Sequence, residues 1–455
     1  MPRVAGIDSS TQSVKVVVRD LDCGDVLQTW RAPHPEGTEV DPRAWLQALQ
    51  QASDILADVD AISVAAQQHG MVTLDDQLHP VRPAPLWNDT KAAADAADLV
   101  VEAGGPGFWA DAVGSVPLAA FTIAKARWLR NHEPAHADRV AHLMLPHDYL
   151  TWALRDFQGT PTTDRGDASG TGYWSPARNE YREDLLERAL GFVPQLPRVA
   201  EPGEIVGETR SGALLAAGTG DNMAAALALD LEPGDVVVSL GTSGTAYARS
   251  PVPTADASGF VAGFADATGV FLPLVCTLNA ARVLDAAANM LGCTLEDLGT
   301  LAARAPAGSD GLVLVPYLDG ERTPNLPDAT GSLIGMTRSN MTPAHVARSA
   351  FEGMLCGLAD AVDALMTQGI EPQRIVIIGG AATNPMVPIV ASSLFTVPIV
   401  VPDPAEYVAE GAARQAAWIM NGSLPRWSAR AGARTYEPNP MAEIRAAYRA
   451  AISGQ

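Results

Sequence analysis

The chain opens on an apolar run that ends in an acid, VAGID. A small polar turn follows, SSTQ, and then a second run rich in β-branched residues, SVKVVVRD. Two such runs around hydroxyl-bearing turn residues predict a β-hairpin at the start of the chain. The pattern returns near residue 236 as VVVSL, GTSGT and AYARS. Laid on one another without gaps, Thr11 falls on Thr242, Ser10 on Gly241, Ser13 on Gly244, and Asp8 on Ser239. A single repeat of this kind predicts two domains that each begin strand, turn, strand, rather than a solenoid. The stretch LDLEPGD (229–235) contains Pro233 and Gly234 and marks the boundary. It gives an N-terminal domain of 1–232 and a C-terminal domain of 233–455. Ala61–Ala66 and Arg374–Ile378 read as strands, while 90–103, 281–291, 343–366 and 407–420 carry helical spacing. Strands mixed with helices in both halves predict α/β layers, each a mixed sheet flanked by helices, with a ligand cleft between the two domains.

Composition narrows the function classes. At 455 residues, with 47% hydrophobic and 18% charged, the chain is globular and too long for one ordinary core. A net charge of −21 argues against nucleic acid and against anionic membranes as partners. It leaves room for a small anionic ligand, because helix N-termini and backbone N–H groups hold phosphates without net positive charge. Cys23, Cys276, Cys293 and Cys356 form no CxxC pair, which points to a reducing cytoplasm and away from a zinc ribbon. No signal-peptide stretch opens the sequence, and no apolar run has the length of a membrane span.

Several motifs are missing. Lysine occurs only at 15, 91 and 125, never after glycine, so there is no Walker A loop. Neither a G-x-G-x-x-G fingerprint nor an HRD–DFG pair is present. His132-Glu133-Pro134-Ala135-His136 matches the zincin pattern, but Pro134 interrupts the helix that pattern needs, so it reads as a helix end. Arg165-Gly166-Asp167 reads as a loop.

Other residues could carry chemistry. Asp8 ends the first strand beside the hydroxyls of Ser9, Ser10 and Thr11. It reads either as a carboxylate placed to hold Mg²⁺, directly or through water, or as an Asx-turn residue. Asp221, in AAGTGDNMAAALALDL, follows Gly218 and Gly220 and precedes an apolar helix. It reads as a helix N-cap, and a helix N-terminus would keep it ionised and able to accept a hydroxyl proton. Asn222 adds an amide suited to a sugar hydroxyl. Gln68 and His69 sit at a strand end, where they could bind a polyol or serve the core. Trp87, Asn88 and Asp89 put an indole beside two polar groups, or start a helix. IVIIGGAATN (375–384) runs a buried strand into Gly379 and Gly380, where a ring or phosphate could approach the backbone.

In order, over nearly the whole chain, these segments resemble the FGGY family of carbohydrate kinases, and the xylulokinases within it most. GIDSSTQSVK is similar to the first phosphate motif, QQHG to the sugar turn, and GTGDN to the segment of the catalytic aspartate. SLGTSGT is similar to the second phosphate motif and IVIIGGAATN to the adenosine motif. LWND, LPHDYL (145–150), TDRGDASGT (163–171), PYLDGERTP (316–324), GSLIGM and HVARSAFEG (345–353) look like further landmarks. Ser10, Ser13, Ala126, Ala381 and Ala382 depart from the commoner residues. The resemblance implies an actin-like, ribonuclease-H-like fold in each domain and ATP-dependent phosphorylation of D-xylulose in pentose catabolism. Another ketose or polyol (L-ribulose, gluconate, glycerol) is the neighbouring alternative, and an actin-like or chaperone-like ATPase the distant one. Carried over, Asp221 is the base and Asp8 places Mg²⁺. Gln68, His69, Trp87, Asn88, Asp89 and Asn222 contact the sugar. Ser10, Thr11, Gln12, Lys15, Gly241, Thr242, Ser243, Gly379, Gly380 and Asn384 serve ATP. The region after residue 420 is short for the group, which bears on assembly, with a homodimer possible.

Overall fold

The apolar run at the start of the chain becomes the centre of a sheet. The computed structural model describes residues 1–427 and 432–453. The strand Arg3–Ser9 pairs antiparallel with Ser13–Asp20 and parallel with Ala61–Ala66. The sheet order is Val26–Pro33, Ser13–Asp20, Arg3–Ser9, Ala61–Ala66, Leu214–Ala216, Ile205–Glu208. Period-two alternation sorts the side chains. Ala5 and Ile7 join a large core with Trp45, Leu49, Tyr149 and Leu150. Val4, on the opposite face, packs with Ala413, Ala416 and Ala417 of the helix Tyr407–Asn421.

That helix lies on the sheet with almost no side chain between the backbones. A Cβ on Gly6 would come 1.8 Å from the Ala409 carbonyl oxygen, and one on Gly411 would come 1.7 Å from the carbonyl oxygen of Ala224. Glycine at both crossings seats the helix against the first strand and against the helix Asp221–Leu229 together. Ser63 on the sheet donates to Gln415 Oε1 at 2.5 Å in the same seam.

A second sheet repeats this plan in the order Phe271–Thr277, Gly244–Ala248, Asp235–Leu240, Arg374–Ile378, Ile399–Val401, Arg434–Tyr436. Its first strand again pairs antiparallel with the next strand in sequence and parallel with a later one. Both edges facing away from the hairpin close on an antiparallel strand. The two α/β domains with mixed sheets expected from the repeat are therefore present. The gapless alignment of the turns is corrected. Ser9 pairs with Val14 but Leu240 pairs with Gly244, so the second turn is one residue shorter and Gly244 matches Val14 in register, not Ser13.

Contacts divide the chain into two compact units that change over between Leu231 and Glu232. The chain returns twice to the first unit, through Pro251–Leu272 and through the segment carrying Tyr407–Asn421. A division into 1–232 and 233–455 thus describes order along the chain and not packing. Ala61–Ala66 and Arg374–Ile378 are strands as expected. The helices expected at 281–291 and 343–366 are Ala281–Leu291 and Pro343–Thr367, whereas that at 90–103 is trimmed to Ala93–Glu102. No helix among the described residues is long and apolar enough to cross a membrane.

Candidate active site

Thr219 and Gly220 pair with Ala65 and Ala66 at the end of the strand Ala61–Ala66, and the helix begins at the next residue, Asp221. The N-cap position belongs to Gly220, which corrects the expected capping role of Asp221. The half-buried Asp221 carboxylate instead accepts, through Oδ1, from the backbone and side-chain nitrogens of Asn222, each at 2.8 Å. The expected lowering of its pKa is also reversed. Loss of solvent, followed by the like charge of Asp8, pushes the group up to about 7, with the Asn222 donors pulling only partly back. A nine-residue helix supplies too small a dipole to offset that desolvation.

Asp8 is buried at the end of the first strand, opposite Lys15 in register. It accepts from the Ser10 hydroxyl, and Lys15 Nζ stands 3.8 Å from its Oδ2 and 2.6 Å from Glu406 Oε2. Burial raises the Asp8 pKa to about 6 against the pull of Ser10 and Lys15. Asp8 and Asp221 are thus two mutually repelling carboxylates held in one unit. In the turn between, Thr11 Oγ1 accepts from the Trp87 indole at 2.8 Å, and the Gln12 carbonyl accepts from the His34 amide at 2.9 Å.

The QQHG turn is tightly built in. His69 takes a left-handed conformation (φ 66°), its Nδ1 lies 2.6 Å from the Gly170 carbonyl oxygen, and its ring sits near Phe121 and Phe264. Gln68 is buried, with Nε2 at 3.4 Å from the Gly166 carbonyl oxygen. Gln67, not singled out from the sequence, is 1% exposed, and neither atom of its side-chain amide has a hydrogen-bond partner among the described residues. Asn88 is exposed, whereas Asp89 is buried and accepts from Thr38 Oγ1 at 3.1 Å and the Lys91 amide at 3.0 Å. Neither starts a helix, since the next one begins at Ala93.

In the second unit, the turn Gly241, Thr242, Ser243 joins the two hairpin strands, with Thr242 exposed. Gly379 adopts φ 96° against the Leu240 backbone, a place where only glycine fits. A Cβ on Gly380 would meet nothing within 4 Å, so that backbone is open to approach. Asn384 uses its amide within the unit: Nδ2 donates to the Leu295 carbonyl at 2.9 Å and Oδ1 accepts from the Met386 amide at 3.0 Å.

The HEPAH match is a helix end. The helix Thr122–His132 stops, Glu133 leaves helical geometry, and Pro134–Ala137 starts anew. Arg165-Gly166-Asp167 is not a loop. It forms most of the short helix Arg165–Ser169, capped by Asp164 and turned inward, with Asp167 fully buried. The cap fixes this turn because Asp164 accepts from the Gly166 and Asp167 amides. Asp167 Oδ2 lies 2.6 Å from Nδ1 of the equally buried His147, and Asp148 Oδ1 lies 3.2 Å from that ring's Nε2. This cluster falls in LPHDYL and TDRGDASGT. Both segments stood out in the sequence, but only the fold brings their acids and imidazole together.

Comparison with known proteins divides the chain by sequence order, near the same changeover between Leu231 and Glu232. Residues 3–228 match the N-terminal domain of the FGGY family of carbohydrate kinases, and residues 236–420 match its C-terminal domain. A xylulose kinase of Streptomyces coelicolor is 44% identical over 453 residues, spanning 95% of this chain and 92% of the relative. One from Escherichia coli K12 is 33% identical, spanning 83% and 82%. A crystal structure of xylulose kinase from Bifidobacterium adolescentis superposes with a TM-score of 0.90 at 39% identity, spanning 99% of each chain.

Proposed function

Because the chain belongs to the FGGY family of carbohydrate kinases, we propose that it transfers the γ-phosphoryl group of ATP to the terminal hydroxyl of D-xylulose, giving D-xylulose 5-phosphate and ADP. The relatives named as xylulose kinases support the choice of sugar. One observation carries the chemistry: a half-buried carboxylate, Asp221, presented at the first residue of a helix with an ionisation near neutrality. Asp221 accepts the hydroxyl proton as the oxygen attacks phosphorus. In a loose transition state that transfer comes late, so a base with a pKa near 7 suffices. The Asn222 amide fixes the carboxylate's orientation. Gln68, His69, Trp87, Asn88 and Asp89, all in the first unit, contact the sugar. Ser10, Thr11, Gln12 and Lys15 of the first hairpin and Gly241, Thr242 and Ser243 of the second bind phosphate oxygens. Gly379, Gly380 and Asn384 take the nucleoside end.

Mg²⁺ fits this reading. Two buried or half-buried carboxylates, each raised in pKa and one repelling the other, form a place where a hard cation is favoured. Asp8 would hold it, directly or through water, and its charge would offset that of the transferring phosphoryl oxygens. The reading also places the enzyme in the cytoplasm.

The pH dependence follows from Asp221. The base works only when ionised. Activity is therefore present above about pH 7 and lost as the pH falls through that value. The expected result is a kcat/KM for ketose that drops about tenfold per unit below the inflection. A profile flat to pH 5 would contradict the assignment. The proposed reaction itself is tested by product identification. Phosphorus NMR of enzyme, MgATP and D-xylulose should show one sugar phosphate monoester formed per ADP, on the terminal carbon. ADP and inorganic phosphate without a sugar phosphate would favour an ATPase.

A further inference from the structure

The turn that presents Asp221 is gripped from several sides. Gly218 (φ 80°) lies against the His147 ring, where an added Cβ would be 2.5 Å from Cδ2. Its carbonyl accepts from Gln415 Nε2 at 3.0 Å. The next residue, Thr219, donates through Oγ1 to Asp164 Oδ2 at 2.8 Å. Asp164 is the same carboxylate that caps the helix carrying Asp167, and Asp167 bonds back to His147. The loop is closed: His147 to Asp167, Asp167 to Asp164 through the cap, Asp164 to Thr219, and Gly218 back onto His147. Every one of these residues is buried.

Resting on the kinase reading above, we propose that His147 is the positioning residue for the catalytic carboxylate, its buried ring, held by Asp167, fixing the Gly218–Gly220 backbone from which Asp221 departs. Three carboxylates, Asp148, Asp164 and Asp167, surround this ring. Burial alone would strip its proton, but Asp148 and Asp167 outweigh burial and lift its pKa to about 9. His147, Asp148 and Asp167 also have the spacing of a metal site. Asp167 Oδ2 and Asp148 Oδ1 instead hold the two ring nitrogens at 2.6 and 3.2 Å. Removing the ring leaves buried acids uncompensated and the Gly218 contact unsupported, so the turn relaxes. A misplacement on the order of 1 Å is enough to cost about 10²-fold in rate.

The test compares His147→Gln, which removes the charge, with His147→Lys, which keeps a cation. Ketose-binding sites are counted by titration calorimetry, and kcat is expressed per binding site. The expected result is a kcat per site down by on the order of 10²-fold in His147→Gln, with the ketose dissociation constant within about threefold, and substantial recovery in His147→Lys. Unchanged kcat per site, a loss matched by weakened ketose binding, or no recovery with lysine would overturn the proposal. Should His147→Gln fail to fold, Thr219→Val removes one grip without orphaning a charge. It should lower kcat per site by on the order of tenfold, and an unchanged value would overturn the proposal. Wild-type protein that phosphorylates no sugar would refute the kinase reading instead.

Discussion

Asp221→Asn is expected to lower kcat for ketose phosphorylation by about 10³-fold while leaving nucleotide and ketose binding close to wild type. General-base catalysis by one positioned carboxylate contributes roughly 10²–10⁴-fold. Asp8 is engaged by Ser10 and faces Lys15, and under the kinase reading it is committed to the cation. Asparagine keeps the shape of the side chain and the start of the helix. It also relieves the repulsion between Asp221 and Asp8, so the variant should fold at least as well as the parent. Steady-state rates with titrated ketose, together with calorimetric binding of an ATP analogue, separate the proton transfer from binding. Turnover within tenfold of wild type would assign the base elsewhere.

Gly411→Ala should be the most damaging single methyl in the first unit. Its Cβ would sit 1.7 Å from the Ala224 carbonyl oxygen, a backbone atom that cannot swing aside like a side chain. Either Tyr407–Asn421 or Asp221–Leu229 must move bodily, and the first of these also touches Gly6 on the central strand. Overpacking of this kind costs about 3 kcal/mol or more. For a unit of this size that corresponds to roughly 6–12 °C in the unfolding midpoint. Because one of the two helices carries Asp221 and the other is packed on it, turnover should fall as well. Gly107→Ala is the control, since a Cβ there meets nothing within 4 Å and its φ is ordinary. Scanning calorimetry of the two variants decides the matter. Equal midpoints would mean the helices are not packed at this distance.

These two positions show what the sequence made legible and what it did not. Asp221 could be found by reading, because glycines at 218 and 220 before an apolar helix mark a turn with chemical intent. Its ionisation could not. Helix position argues for a lowered pKa, but burial and the charge of Asp8 reverse the sign, and both are products of the fold. The hairpins and their strands were legible from period and turn residues. The one-residue difference between their turns was not, since both pair equally well with a short polar linker. For 407–420 the alanine spacing announced a helix. It said nothing about which sheet would receive it, which depends on a glycine at residue 6, some 400 positions away. His147, Asp164 and Asp167 escaped for the same reason: neither segment alone shows that its charges are to be buried against the other.

The chain is expected to phosphorylate a ketose through Asp221, with D-xylulose as the preferred sugar. The most direct measurement is the initial rate of ADP release from MgATP by wild-type protein and by Asp221→Asn, with D-xylulose, L-ribulose, gluconate, glycerol or no sugar. The account predicts the largest stimulation over the sugar-free rate with D-xylulose, and its disappearance in the variant. A sugar-independent rate, or stimulation that survives the loss of the carboxylate, would contradict it.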